Sequence, residues 1–291
     1  MRFSLANRFQ FPLSEFHSDA LSTRLRQSIS VSSHKPTNTP IWKRIQDRLG
    51  VKVSKKGAKL VDDNGLPIPG AELRHAVAGN ADLKWFINGG KLGVETIVSV
   101  LNKRGIEFGS LESVLDFGCG CGRVLRHLGH YENVHLHGTD ISRPGIAWCD
   151  ANLNFAMFGT NRLSPHTRYR TASFDFIYAF SVFTHLTQEL QAPWMTEMRR
   201  LLKPGGHLLV TVHGEHYLNH LSQSEKAAFR NGKLVIKGGE SVGSNHCAAF
   251  HPEKFVTDSL APETGFKVVD FIPEGALGNP KQDAYLLAAD A

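Results

Sequence analysis

Beyond about residue 110 the chain alternates between short, almost wholly apolar runs and longer stretches with apolar residues at helical spacing. Ser113–Phe117 (SVLDF), Val134–Thr139 (VHLHGT), Phe155–Phe158, Phe174–Phe180 (FDFIYAF) and His207–Val212 read as five successive buried strands. Between them, Arg123–Leu128 reads as a helix. A second helix starts near Pro144 with Ser142 at its cap, and Glu189–Leu202 is a third, ended by LKPGG. Strand and helix alternating at this spacing predict a mostly parallel sheet covered on both faces. The tail changes rhythm. Leu234–Lys237 and Cys247–Phe250 suggest an inserted hairpin and Pro252–Leu260 a helix. Phe266–Phe271 and Ala284–Ala288 lack a helix-length connection, so they are expected to pair antiparallel.

Ahead of this region the pattern is looser. Ile41, Ile45 and Leu49 recur at four-residue steps up to Gly50, a short amphipathic helix, and LPIPG at Leu66–Gly70 breaks the chain. Asp82–Phe86 and Val94–Leu101 carry helical spacing. The expected organisation is an N-terminal extension over 1–65 and one domain over 66–291. Within that domain, 66–110 form a helical cap, 111–213 a ligand-binding core, and 214–291 an insertion with the closing strands.

Composition narrows the class. At 291 residues and 41% hydrophobic, the chain can bury one large α/β core. No apolar run reaches the roughly 18 residues of a membrane span, and the N-terminus lacks a secretory apolar core, so a cytoplasmic protein is expected. The four cysteines, Cys119, Cys121, Cys149 and Cys247, fit neither a disulfide framework nor a zinc pattern, and are expected as free thiols. Residues 1–60 hold 12 Lys and Arg against 3 Asp and Glu, so the net charge of +6 belongs to the head of the chain. No aromatic or glycine pattern accompanies those charges, and a solvated extension is the simpler reading than a nucleic-acid arm.

The chemistry concentrates in VLDFGCGCGRVLRHL, Val114–Leu128. Its turn reads Asp116-x-Gly118-x-Gly120-x-Gly122, with Arg123 where a dinucleotide fingerprint wants its third glycine, and no Gly-Lys-Ser/Thr follows to make a P-loop. Such glycines let a ligand approach bare backbone at the carboxyl end of a first strand. Asp140 ends the second strand, about 20 residues on, where a carboxylate can accept hydrogen bonds from both ribose hydroxyls of a nucleoside.

Taken together, DFGCGCG, DIS, FDFIYAFSVFTHL and LKPGG resemble the successive signatures of class I S-adenosylmethionine-dependent methyltransferases. The chain is similar, from about Leu66 onward, to bacterial methyltransferase-domain proteins with an SVFTHL segment and a QD-x-Y-LL ending, here Gln282–Leu287. The resemblance implies a doubly wound, Rossmann-like seven-stranded sheet with its last strand antiparallel. S-adenosylmethionine is the implied cofactor, with Asp116, Gly118 and Gly120 at its methionine end, Asp140 at the ribose and Ile141 beside the adenine. The candidate cofactor set also includes Phe117, Cys119, Arg123, Phe180 and Ser181. NRLSPHTRYRTASFD departs from the acidic, proline-marked loop usual before the fourth strand, which leaves Asn161 and Leu163 as weaker adenine candidates.

An activated methyl group needs an aligned nucleophile and, for a hydroxyl acceptor, a base. His185, His213, His246 and His251 fall where an acceptor should lie, with His185 and His213 the catalytic candidates. Phe180, Phe183, Trp194 and Phe250 offer an aromatic wall, although Trp194 has core spacing with Met198 and Leu201. HGEHYLNH is not a zinc motif, and no metal is expected. Ala179-Phe180-Ser181-Val182 lacks the Asn/Asp-Pro-Pro-aromatic turn of enzymes that methylate flipped bases, so nucleic acid is disfavoured and a small-molecule acceptor, such as a sugar or another metabolite hydroxyl or amine, is expected. The alternatives are a non-catalytic cofactor-binding partner protein, or a nucleic-acid methyltransferase guided by the basic head.

Overall fold

The computed structural model describes residues 52–53, 60–279 and 281–289. The expected helix at Ile41–Leu49 and most of the basic head lie outside them. Two short strands, β1 (Lys52–Val53) and β2 (Leu60–Val61), pair antiparallel ahead of helices α1 (Ala71–Ala78) and α2 (Leu83–Asn102). Asp82 caps α2 by accepting a hydrogen bond from the Trp85 amide, and the helix buries Phe86, Ile97, Val100 and Leu101.

The core follows as β3 (Ser113–Phe117), β4 (His135–Asp140), α3 (Arg143–Asn152), β5 (Ala156–Thr160), β6 (Phe174–Ala179), α4 (Gln188–Leu201) and β7 (Leu202–Val212). Next come α5 (Gln223–Arg230), the antiparallel pair β8 (Val235–Lys237) and β9 (Ala248–Phe250), and a helix, α6, running through Glu253–Phe255, Val256–Leu260 and Ala261–Glu263. The chain closes with β10 (Phe266–Ile272) and β11 (Asp283–Ala289). Seven strands form one sheet in the order β10-β11-β7-β6-β3-β4-β5. Strands β3 to β7 run parallel, while β11 lies antiparallel between β7 and β10.

Both sheet faces are covered, which is why the inner strands are apolar at nearly every position instead of alternating. On one face Leu115, Phe117, Ile177 and Leu208 pack with Trp194 and Met198 of α4. On the other, Val114, Phe176, Tyr178 and Leu209 meet Ile97, Val100 and Leu101 of α2. Ser142 caps α3 through the Gly145 amide at 3.2 Å, with Pro144 in the first turn as expected.

Three expectations need correction. Arg123–Leu128 is not an α-helix but a tight turn with a 3-10 segment at Leu125–His127, because the left-handed residues Gly120 and Gly122 (φ 58° and 75°) occupy what would be the helix's entry. The fifth core strand starts at Leu202, not His207: LKPGG bulges within β7, and the register against β6 jumps between Phe174 and Phe176. The third strand runs one to two residues later, at Ala156–Thr160.

A buried ion pair fixes the entry segment behind the glycine turn. Arg126 Nε donates to Asp62 Oδ2 at 2.9 Å and Nη2 to the Leu66 and Pro67 carbonyls, while the Leu66 and Asn64 amides donate to Asp62 Oδ1. Both side chains are excluded from solvent, at 0% and 2% exposure.

Candidate active site

The carboxyl ends of the parallel strands β3, β4, β5, β6 and β7 lie along one edge of the sheet, the edge at which open α/β sheets bind ligands, and the loops leaving them meet there. The floor of the site is the glycine turn. The Gly118 and Cys119 amides donate to Thr139 O at 2.8 and 3.1 Å, and the Gly120 amide donates to Asp140 Oδ2 at 2.8 Å. Gly118 has φ 83°, and a Cβ there would run into Val182 Cγ2, so only glycine serves at this position.

Asp116 sits beneath the turn at 3% exposure, opposite Gly138 and Tyr178 in the sheet. Burial raises its pKa to about 8, against the opposing pull of the Tyr178 hydroxyl and the Arg123 guanidinium. Arg123 does not line the floor. Its guanidinium lies 4.7 Å from the Trp85 ring centroid and donates to Gly278 O and Asn279 Oδ1, tying α2 and the 278–279 loop to the turn.

Asp140 accepts hydrogen bonds on both oxygens, from Gly120 and, at 2.7 Å, from the Ser142 amide. It therefore locks the turn to the start of α3 and offers a ligand only its remaining lone pairs. Beside it, Ile141 and Leu163 are among the few large apolar side chains left exposed, at 42% and 36%. They lie together, since a Cβ on Gly243 would meet both. The Asn161 side chain is engaged locally, by Thr139 Oγ1 and by the Arg162 carbonyl.

The segment between β8 and β9 packs against these loops, at Ile141, Leu163 and His185. Its Gly243 amide donates to His185 O at 2.8 Å, and Cys247 O lies 2.8 Å from His185 Nδ1. A carbonyl only accepts, so Nδ1 carries the proton and Nε2 keeps its lone pair. Nε2 meets no partner among the described residues, and burial holds the His185 pKa below the ordinary histidine value.

Three of the four histidine candidates are neighbours: the His251 amide donates to His213 O at 2.8 Å, and His185 lies close enough to His213 to bear on its charge. His213 is buried, its ring tilted against Tyr217 at 4.2 Å and Phe250 at 5.5 Å between centroids, and burial together with His185 and His251 pushes its pKa well down. His251 is fully enclosed, with Nε2 donating to Gln191 Oε1, and its pKa falls to about 3. His246 is exposed. The aromatic wall does not form: Phe183 and Trp194 belong to one core, Phe180 to the second and Phe250 to the insertion's own cluster.

Ser181 follows β6 with φ 60°, a left-handed conformation uncommon for a residue with a Cβ. Sequence reading missed what surrounds it: Thr184, Thr211, Asn279 and Gln282, all buried. Gln282 appeared only as part of a C-terminal signature, and side chains that converge from β7, the loop after β6 and the loop before β11 leave no periodic trace. The cysteines are all free and buried as expected. Cys119 and Cys149 lie within 4.0 and 3.7 Å of the Gly120 carbonyl, and burial raises Cys121 to about 12. Among the described residues no cluster of His, Cys, Asp and Glu could hold a metal, and no helix is long and apolar enough to cross a membrane.

A seven-stranded sheet with β11 reversed, a glycine turn after its central strand and an acid after the next define the class I S-adenosylmethionine-dependent methyltransferase fold. The chain belongs to the methyltransferase domain family, whose model matches residues 93–270, and that family and fold imply S-adenosylmethionine as cofactor. It is 27% identical over 125 residues to phosphoethanolamine N-methyltransferase 2 of Caenorhabditis elegans, covering 40% of this chain and 27% of that one. It is 24% identical over 169 residues to an O-methyltransferase of Aspergillus nomiae, covering 55% and 66%. The chain thus spans less than two thirds of the length of these curated relatives. A solved S-adenosylmethionine-dependent methyltransferase from Mesorhizobium loti shares the fold with a TM-score of 0.52 at 16% identity, covering 68% of this chain and 99% of that one.

The residues present fit the cofactor. An exposed apolar pair, Ile141 and Leu163, adjoins a carboxylate with spare lone pairs, and a buried carboxyl, Asp116, underlies the glycine floor.

Proposed function

We propose that the chain catalyses methyl transfer from S-adenosylmethionine to a hydroxyl or amine of a small molecule, with His185 as the proton acceptor. The cofactor supplies the activated methyl group. Asp116 would hold its ammonium, Asp140 its ribose hydroxyls, and Ile141 and Leu163 the faces of its adenine. The observation that carries the proposal is the His185–Cys247 contact: it fixes the imidazole in one tautomer, which burial holds toward its neutral form, and leaves Nε2 without a partner among the described residues. The acceptor's nucleophile would lose its proton to Nε2 as it bonds to the methyl carbon. The names of the relatives describe transfer to nitrogen in one and to oxygen in another, which supports a small nucleophilic acceptor without selecting one.

The test is calorimetry with S-adenosylmethionine and S-adenosylhomocysteine, followed by methyl incorporation from labelled cofactor into fractionated cell extract. Binding without incorporation into any fraction would leave a cofactor-binding protein and remove the catalytic reading.

A further inference from the structure

We propose that Gln282 is a positioning residue for the cofactor site, acting through Ser181. The proposal rests on the cofactor reading above and assigns a role to a side chain outside the turn and the histidines.

Hydrogen-bond directions around Ser181 can be followed atom by atom. Thr184 Oγ1 donates to Ser181 O, so the Ser181 hydroxyl donates to Thr184 Oγ1 at 2.9 Å. The Ser181 oxygen is then free to accept from Gln282 Nε2, at 2.7 Å. On the other side the Ser181 amide donates to Thr211 Oγ1, and Thr211 in turn donates to Gln282 Oε1, both at 2.8 Å. Gln282 thus grips Ser181 at its hydroxyl directly and at its amide through Thr211, closing a ring around one left-handed residue. Gln282 is 4% exposed and Thr211 fully buried, so water does not substitute for either.

The ring is anchored on the cofactor side. Asn279 Nδ2 donates to Gln282 Oε1 at 3.3 Å, and Asn279 Oδ1 accepts from Arg123, the residue that follows the glycine turn. What the left-handed bend at Ser181 positions is visible on either side. It turns the chain so that Val182 packs on Gly118, the glycine of the floor, and it leads into the 3-10 turn that carries His185. A conformation of this kind persists only while its surroundings over-determine it. Among the described residues, Gln282 is the side chain that meets both halves of that determination.

The full chain is measured by calorimetry with S-adenosylhomocysteine as probe, in wild type, Q282L, and Q282L combined with S181G. Leucine removes the grip, and glycine at 181 adopts φ 60° without it. The expected result is an affinity about tenfold weaker in Q282L, with most of the loss recovered in the double variant. Should Q282L fail to give a native circular dichroism spectrum, the near-isosteric Q282M takes its place, alone and with S181G. A Q282L affinity within twofold of wild type overturns the proposal, as does a loss that S181G leaves unrepaired. Wild-type protein that ignores S-adenosylhomocysteine at millimolar concentration overturns the cofactor reading and this inference together, whereas wild-type binding with indifferent variants overturns this inference alone.

Discussion

On the proposed function, Asp116 carries a proton that cofactor binding must displace. With a pKa of about 8 in the free protein, the carboxyl is ionised in roughly one molecule in ten at pH 7 and one in a hundred at pH 6. If the ligand's ammonium requires the carboxylate, apparent affinity is reduced by that fraction. Between pH 6 and pH 7 the affinity for S-adenosylhomocysteine should therefore rise about tenfold, or ~1.4 kcal/mol. An α-amino group keeps its proton through that range, so the slope belongs to the protein. Calorimetry at pH 7 in buffers of different ionisation enthalpy should detect close to one proton released per ligand bound. Asp116→Asn should flatten the slope and abolish the release. The free protein carries the opposite signature. Its folded state holds a proton that the unfolded chain gives up near pH 4, so the contribution of Asp116 to stability declines as pH climbs from about 4 to about 8. A pH-independent affinity with no proton release in wild type would refute the argument.

Three further outcomes follow from the geometry. Asp62→Ala leaves Arg126 charged and enclosed, and should lower unfolding stability by about 3–5 kcal/mol in denaturant titrations; replacing Arg126 by Met as well should return part of the loss. His185→Gln should cut methyl transfer by about 10²–10⁴-fold while cofactor affinity changes little, and the acid limb of wild-type turnover should fall below the ordinary histidine value, because burial disfavours the charged imidazole. His251, neutral in its enclosure down to about pH 3, stabilises the fold above the ordinary histidine value and loses that contribution as pH falls from about 6.5 toward 3. His251→Gln should flatten the acid limb of a stability–pH curve measured by chemical denaturation.

The strands were legible because a sheet covered on both faces demands unbroken apolar runs, and SVLDF and FDFIYAF can satisfy little else. The turn was legible because glycines at alternate positions have few other uses. The short helix expected at Arg123–Leu128 failed for the same reason: local spacing favoured it, but the turn's left-handed residues reach too far in, and Arg126 is drawn inward to Asp62. His185 was found from its place after the fourth core strand, yet its tautomer depends on Cys247, 62 residues away, and no local pattern encodes that contact. The hydrogen-bonded ring at Ser181 was illegible on the same grounds, being assembled from β7, the loop after β6 and the loop before β11, which meet only in the folded chain.

The enclosed thiols bear on experiment in another way. Alkylating reagents attack the thiolate, a form that burial suppresses at Cys119, Cys121 and Cys247, and all four thiols are enclosed, so in the native state modification must wait for the chain to breathe. Cys119, Cys121 and Cys149 surround the floor, whereas Cys247 lies in the segment between β8 and β9. Following the mass of each modified peptide over time would therefore clock two separate openings in unlabelled, unmutated protein, and a bound nucleoside should slow them by different factors.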